Sequence, residues 1–410
     1  VSAPRITPWP LVALFTAGYL APYLLPTIVG RLGASLALSA TQAGAIGSAL
    51  LLSSAAAGFL LAGRADRFGP RALARAGLAL AVLGYGGAAL THAVPAVIAG
   101  TVLGGLGSGT ATTVAATGIA ALGAQPAGAG SGGWRRDPHR VSTLGLLGVS
   151  VLAAVVYLTV PHLGAGHAQP LAAIALTMVA VWPLTGRLPA RTATGPGRAA
   201  HGPLPRPRAG AVLAAALLLW SLAQNSLWGV SGRIGTTQAH LGEAAVGVVF
   251  AVALGAALLG VLGAGALGQR LGRALPIGGG TVLIAGCIAL SASARDLGGF
   301  AFGEIAWNVL YPVVLSYVIG LAASLDPRGR WAVLVGSASS LGTAAGPLAG
   351  SLLAARAGYP AMGTVLAAGL LAVAVPMTAV ALRTGGARRR PAPAAASVRY
   401  EKVYASTSAM

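Results

Sequence analysis

Seven carboxylates stand in the 410-residue chain: Asp66, Asp137, Glu243, Asp296, Glu304, Asp326 and Glu401. Six fall in polar stretches or at the edges of apolar runs, and Glu304 alone falls inside one. A charged side chain at the centre of a bilayer costs about 2.5–3.5 kcal/mol or more, so an acid there needs a polar cavity or a partner. Desolvation disfavours the charged form of a carboxyl, which makes such a residue a candidate proton carrier. Trp307, Asn308 and Tyr311 follow Glu304 at i+3, i+4 and i+7, which is one helix face. The run around Ser221 repeats the pattern with Gln224, Asn225 and Trp228. In the first run Thr16, Tyr19 and Tyr23 share a face. Indole, phenol and amide groups suit an amphipathic organic solute through stacking and hydrogen bonding. The plainer alternative is that Glu304 lies near an interface and reaches water, the amides join helices and the aromatics mark the interface belt.

These residues must be positioned by membrane spans. The chain is 56% hydrophobic and only 8% charged, against about 25% charged in soluble domains. Its mean hydropathy of +0.78 holds along the whole length. A span needs roughly 20 apolar residues. Twelve runs qualify: 10–29, 40–62, 72–91, 94–122, 141–160, 169–186, 209–229, 244–267, 276–293, 298–322, 331–355 and 360–382. The first reads as a retained helix, because no small-residue cleavage pattern follows it. The expected fold is all-α, with twelve transmembrane helices in two six-helix bundles: 1–186, a cytoplasmic linker 187–208 rich in proline, 209–383, and a flexible cytoplasmic tail 384–410.

The net charge of +20 does not point to nucleic acid, because the charges sit in short loops between apolar runs. An inside N-terminus assigns Arg5, the 62–75 loop, Arg135, Arg136, Arg140, the linker, Arg270, Arg273, Arg328, Arg330 and the C-terminal stretch to the cytoplasm. That leaves Arg31, Arg233, Arg295 and Arg356 outside, four of 27 Lys and Arg. The asymmetry predicts both termini on the cytoplasmic side of a cytoplasmic membrane. Arg388, Arg389 and Arg390 either lie against anionic lipid heads or form a solvated tail.

The chain turns sharply at Asp66-Arg67-Phe68-Gly69, followed by Arg71 and Arg75. A degraded copy, Gln269-Arg270-Leu271-Gly272-Arg273, occurs 203 residues later. It pairs Arg67 with Arg270, Gly69 with Gly272 and Gly44 with Gly247, as expected of two similar halves. The loop resembles the Gly-x-x-x-Asp-Arg-x-Gly-Arg signature of the major facilitator superfamily. Ala62 replaces its first glycine, Pro70 interrupts its basic pair and Gln269 replaces the acid in the second copy. The resemblance implies a secondary active transporter whose helices one, four, seven and ten line a central cavity. It implies conformational roles for Asp66, Arg67, Gly69, Arg71, Arg270 and Arg330, with Asp66 near the start of the eleventh helix. Where many relatives carry an arginine in the fourth helix, this chain has Thr101, and Glu304 is its counterpart in the second half. A motif similar to the antiporter signature, Gly342-Thr-Ala-Ala-Gly346-Pro347, lies in the eleventh span, whereas the fifth has no Gly-Pro pair.

The function expected is transport of a small organic solute by alternating access. Glu304 would couple protons, and Tyr19, Tyr23, Gln224, Asn225, Trp228, Trp307, Asn308 and Tyr311 would bind substrate. Proton-coupled efflux leads, and symport or facilitated uptake is the alternative. An enzyme or receptor is remote, because a single acid falls in the spans. No Gly-Lys-Ser/Thr loop supports a nucleotide-driven pump. The six histidines and one cysteine show no metal-ligand spacing. No cofactor or metal is expected, and the partners are solute, proton and membrane lipids, with the chain a monomer.

Overall fold

The computed structural model describes residues 8–61, 68–123, 137–190, 203–268, 270–326 and 328–385. Asp66, Arg67, the glycine-rich stretch 124–133, most of the linker and the tail after 385 lie outside the described residues. Among the described residues ten helices are long and apolar enough to cross a membrane, and a bent pair makes an eleventh. That pair is α1, Pro8–Tyr23 and Leu25–Ser35, bent by 47°. Pro22 and Pro26 flank the bend, and each removes a backbone donor from the ladder. Then come α2 (Ala40–Leu61), α3 (Pro70–Ala89), α4 (Val94–Gly123), α5 (Pro138–Thr159) and α6 (Ala168–Val181), which tightens into a 3₁₀ turn to Arg187. The second group is α7 (Pro207–Arg233), α8 (Glu243–Leu267), α9 (Ala274–Ser293) and α10 (Leu297–Leu325). The final helical stretch, Arg330–Gly385, breaks at Gly358, whose φ of 77° no other residue type adopts easily. Its limbs are α11 (330–357) and α12 (359–385), which brings the described spans to twelve.

Local chemistry sets these boundaries. Proline opens α3, α5 and α7, where its missing N–H costs nothing. The Asp137 side chain caps α5 by accepting from the His139 amide, and Asp296 caps α10 by accepting from Gly299. Asp326 ends α10 and accepts from Arg330 Nε at 2.6 Å, and this bond holds its carboxyl below the usual carboxylate range. The repeat is visible in the backbone. Gly69 and Gly272 both turn with positive φ, 76° and 65°.

The helices pack as two groups. In the first, α4 lies against α1, α2 and α3, while α5 packs on α1 and α6 on α3. In the second, α11 lies along α7, and α10 packs on α8 and α9. Small residues make the closest approaches. A Cβ at Gly84 would overlap the backbone of Gly104 on α4, and Gly342, Gly346 and Gly350 of α11 meet the α7 backbone from Leu218 to Ser226. The glycines of the α11 Gly-Pro motif therefore serve packing within their own half, while Pro347 faces α2 of the other half. We expect Gly84→Val to destabilise the protein by about 1–3 kcal/mol. Gly87→Ala, where nothing lies within 4 Å, should leave stability unchanged or slightly raised. Thermal melting in detergent checks the pair.

The two groups meet along α2 with α11 and α5 with α8. Gly44 of α2 faces Pro347 and Ser351 of α11, and Gly247 of α8 faces the Tyr157 carbonyl of α5. These glycines are 203 residues apart, so one repeat unit supplies the same backbone approach at both seams. The Ser48 hydroxyl adds a bond across the first seam from the Leu348 amide, at 2.9 Å.

Candidate functional site

A cavity of about 1000 Å³ lies between the two groups. Its walls come from α1, α2, α4 and α5 on one side and α7, α8, α10 and α11 on the other. His139 and Ser142 at the start of α5, Phe59 at the end of α2 and Val333 at the start of α11 line its mouth. It therefore opens toward the face where α1 begins and α12 ends. At its other end it meets a layer of rings. Tyr157 lies 5.1 Å from Phe250, Trp228 5.2 Å from Phe250, and Phe300 6.1 Å beyond. The Trp228 indole also donates to the Pro22 carbonyl across the seam, at 3.1 Å.

Seven of the eight expected binding residues line this cavity: Tyr19, Tyr23, Asn225, Trp228, Trp307, Asn308 and Tyr311. Trp307 lies 5.6 Å from Trp228 and 6.1 Å from Tyr311, so the rings form a continuous surface. Trp220, fully buried, stacks behind Tyr311 at 5.2 Å. The Asn225 amide donates to Thr343 at 3.2 Å and to the Ser221 carbonyl. Among the described residues the lining contains hydroxyls and amides but no lysine, arginine, aspartate or glutamate, and His139 is its one titratable nitrogen base.

Gln224 is placed differently. It is fully buried, and its Oε1 accepts the Trp307 indole N–H at 2.7 Å from behind. It orients a ring of the cavity and does not line it. Gln224→Leu would leave that indole N–H buried and unpaired, at a cost of about 1–3 kcal/mol. We expect lower melting temperature and weaker solute binding together. Asn225→Ala, at the surface of the cavity, should weaken binding with little change in melting.

Glu304 is buried completely, inside the second group and not among the cavity-lining residues. Its Oε1 accepts from Ser231 of α7 at 2.8 Å and from Ser291 of α9 at 2.7 Å. Its Oε2 is buried without a hydrogen-bond partner. The carboxyl thus ties three helices through one oxygen and leaves the other free to take a proton, with no donor competing for its lone pairs. One turn along α10, the Asn308 amide donates to the Glu304 carbonyl at 2.9 Å, so a cavity-lining side chain is fixed to the same helical turn. Thr101, the counterpart in the first half, is also fully buried, but its hydroxyl is satisfied locally by the Ile98 carbonyl at 2.9 Å.

Arg31 departs from its expected place in an outer loop. The first helix runs on to Ser35 and buries Arg31 to 4% exposure. Its guanidinium donates to the carbonyls of Val160, Gly164 and Gly166, to Gln169, and to Glu243 of the second group at 2.7 Å. A charge is tolerated there because the α5–α6 connection supplies a ring of acceptors. Nothing in the sequence marks this except a lone arginine in a region poor in basic residues.

Of the residues with expected conformational roles, Asp66 and Arg67 lie outside the described residues. Arg71 fastens the start of α3 to the end of α6, donating to Leu188 O at 2.9 Å. Arg270 is exposed in the turn before α9. Arg330 pairs with Asp326 and donates to Pro203 O, while Trp331 beside it donates to Pro205 O and covers Gly210. Among the described residues no group of three His, Cys, Asp or Glu could hold a metal ion.

No protein-family model and no curated protein matches the sequence. Solved structures do. The human organic anion transporter MFSD10 (TETRAN) superposes with a TM-score of 0.64 at 18% identity, over 92% of this chain and 100% of that one. The POT family transporter PepTSo gives a TM-score of 0.71 at 13% identity, over 94% and 99%. The nucleoside transporter NupG gives 0.70 at 12% identity, over 91% and 99%. At these identities the likeness is one of fold, and it extends over nearly the whole of each chain.

Proposed function

From the major facilitator fold that the chain shares with these transporters, we propose that it is a secondary active transporter. Its cargo is a small, uncharged organic solute with aromatic or amide groups. The observation that carries this reading is the cavity between the halves, walled by aromatic and hydroxyl side chains from both and by the Asn225 and Asn308 amides of the second, with the ring layer at its far end. A solute with a fixed charge would be desolvated there without a partner of opposite sign. Six aromatic side chains and several hydroxyls in the lining instead favour stacking and neutral hydrogen bonds.

The moving bodies are residues 1–186 and 209–383, joined by 187–208, and the cycle opens the site to each face in turn. Basic loops place both ends in the cytoplasm of a cytoplasmic membrane, so the state described is open inward. Glu304 couples proton movement. A proton arriving on its Oε2 alters the bonds to Ser231 and Ser291, and so the seating of α10 against α7 and α9. Trp307, Asn308 and Tyr311 move with α10. Export by proton exchange fits an amphipathic solute collected from the inner side. The protein acts as a monomer surrounded by lipid.

The experiment is direct. A thermal-shift screen of purified protein against neutral aromatic metabolites and drugs identifies a ligand. Proteoliposomes then test its movement under imposed pH gradients of either sign. Stabilisation only by highly charged compounds would overturn the solute class. Absence of movement for a ligand shown to occupy the cavity would overturn transport. Uptake driven with protons moving in the same direction would replace exchange by symport.

A further inference from the structure

A second cavity, of about 390 Å³, lies on the far side of the ring layer. The second limb of α1 and the end of α5 form one wall, and the end of α7 with the start of α8 forms the other. Its ionised groups are Arg31, Arg233 and Glu243, one positive charge in excess. Arg31 is saturated by its carbonyls and Glu243. Arg233 is not, because its Nη1 is buried with no hydrogen-bond partner. The Thr236 and Thr237 hydroxyls donate to the Gly232 and Arg233 carbonyls, and neither oxygen bonds to that Nη1. A buried guanidinium N–H without an acceptor is costly, and a carboxylate is the group whose two oxygens match the guanidinium fork. The remaining walls are apolar, among them Val156, Val160, Leu241, Val246 and Phe250. The volume lies within the range of small-molecule sites.

We propose that this vestibule binds a small monocarboxylate with an apolar tail, its carboxylate on Arg233 and its tail against Val246 and Phe250. The site is separate from the central cavity and opposite to it in chemistry, since the central lining carries no arginine or lysine among the described residues. Both halves contribute walls, so the bound acid holds this face closed. On the transporter reading it is therefore an inhibitor that does not compete with solute from the inner side. The binding itself does not depend on that reading.

The test titrates 3-phenylpropionate and its neutral amide into purified full-length protein by calorimetry, and reads vestibule binding of each as the part that Arg233→Gln removes, because a neutral aromatic amide also suits the central cavity. The acid binds, and the amide binds at least about tenfold more weakly, the loss expected for a charge-assisted bond. Arg233→Gln weakens the acid by a similar factor, Arg233→Lys retains part of the affinity, and Asn308→Ala in the central cavity changes nothing. No binding of the acid, equal binding of the amide, undiminished binding to Arg233→Gln, or loss of binding in Asn308→Ala would each overturn the proposal. If the Arg233 variants do not fold, Thr236→Cys in the otherwise unchanged chain gives the reading. The acid slows its conversion to a mixed disulfide by a charged methanethiosulfonate, which releases methanesulfinate, and the amide does not, whereas equal rates with both overturn the site.

Discussion

Glu304→Gln is expected to bind solute and exchange it across a membrane, yet fail to accumulate it under a pH gradient. The amide oxygen can still accept from Ser231 and Ser291, so the tie between α7, α9 and α10 survives. The amide nitrogen takes the place of Oε2, which has no partner to lose. The fold should therefore persist, with stability changed by about 1 kcal/mol. What disappears is the site at which a proton can settle. One pH unit is worth about 1.4 kcal/mol per proton, a tenfold solute ratio for one-to-one exchange. The native protein should approach that ratio in proteoliposomes, and the variant should stay near unity while solute counterflow continues. Gradient-driven accumulation at the native level by the variant would sink the coupling role. Glu304→Ala is the harsher companion. It strips Ser291 of its acceptor in a buried place and leaves Ser231 the Leu227 carbonyl, so it should lose stability as well as coupling.

The architecture was legible because lipid imposes simple rules. Runs of about 20 apolar residues must be helices, and eleven of the twelve expected spans match helices to within a few residues. The first does not. Arg31 looked like a loop charge because no single helix can satisfy a guanidinium, and its acceptors come from the α5–α6 connection and from α8, more than 125 positions away in the chain. The same limit applies at the cavity. A helical face groups Ser221, Gln224, Asn225 and Trp228, but it does not say which side chain meets a hollow and which meets a neighbouring helix. Gln224 found the Trp307 indole, and Asn225, one position on, found the cavity. Glu304 stood out as an acid in an apolar run. Its partners Ser231 and Ser291 did not, since serines near the ends of other helices carry no distinguishing mark. The repeat of 203 residues was readable at Gly44 and Gly247 because a missing Cβ is itself a packing instruction. The aromatic layer of Tyr157, Phe250 and Phe300 left no such trace, as three rings in three different spans show no spacing to read.

Arg31 does two jobs, and separating them gives the second large effect. Within the first half it staples α1 to the α5–α6 connection through the carbonyls of Val160, Gly164 and Gly166. Between the halves it holds Glu243, whose side chain is 47% exposed. Arg31→Ala removes both sets of bonds and leaves the Val160 carbonyl only the Leu163 amide. We expect it to cost on the order of 3 kcal/mol, visible as a clear drop in melting temperature. Glu243→Gln removes only the charge between halves. Screening by water limits that pair to about 1 kcal/mol, so melting should barely change. The same amount shifts a two-state equilibrium about fivefold, here toward the conformation open on the Arg31 face. Alkylation of Val246→Cys, which lies 5% exposed in the vestibule beneath the latch, should accelerate by that factor when combined with Glu243→Gln. High salt, which weakens the exposed partner of the pair, should accelerate it in the native background too. If Glu243→Gln melts as early as Arg31→Ala, the pair is a fold element and not a latch. If it leaves the alkylation rate unchanged, the seam on this face is held by the rings of Trp228 and Phe250 and the Gly247 contact alone.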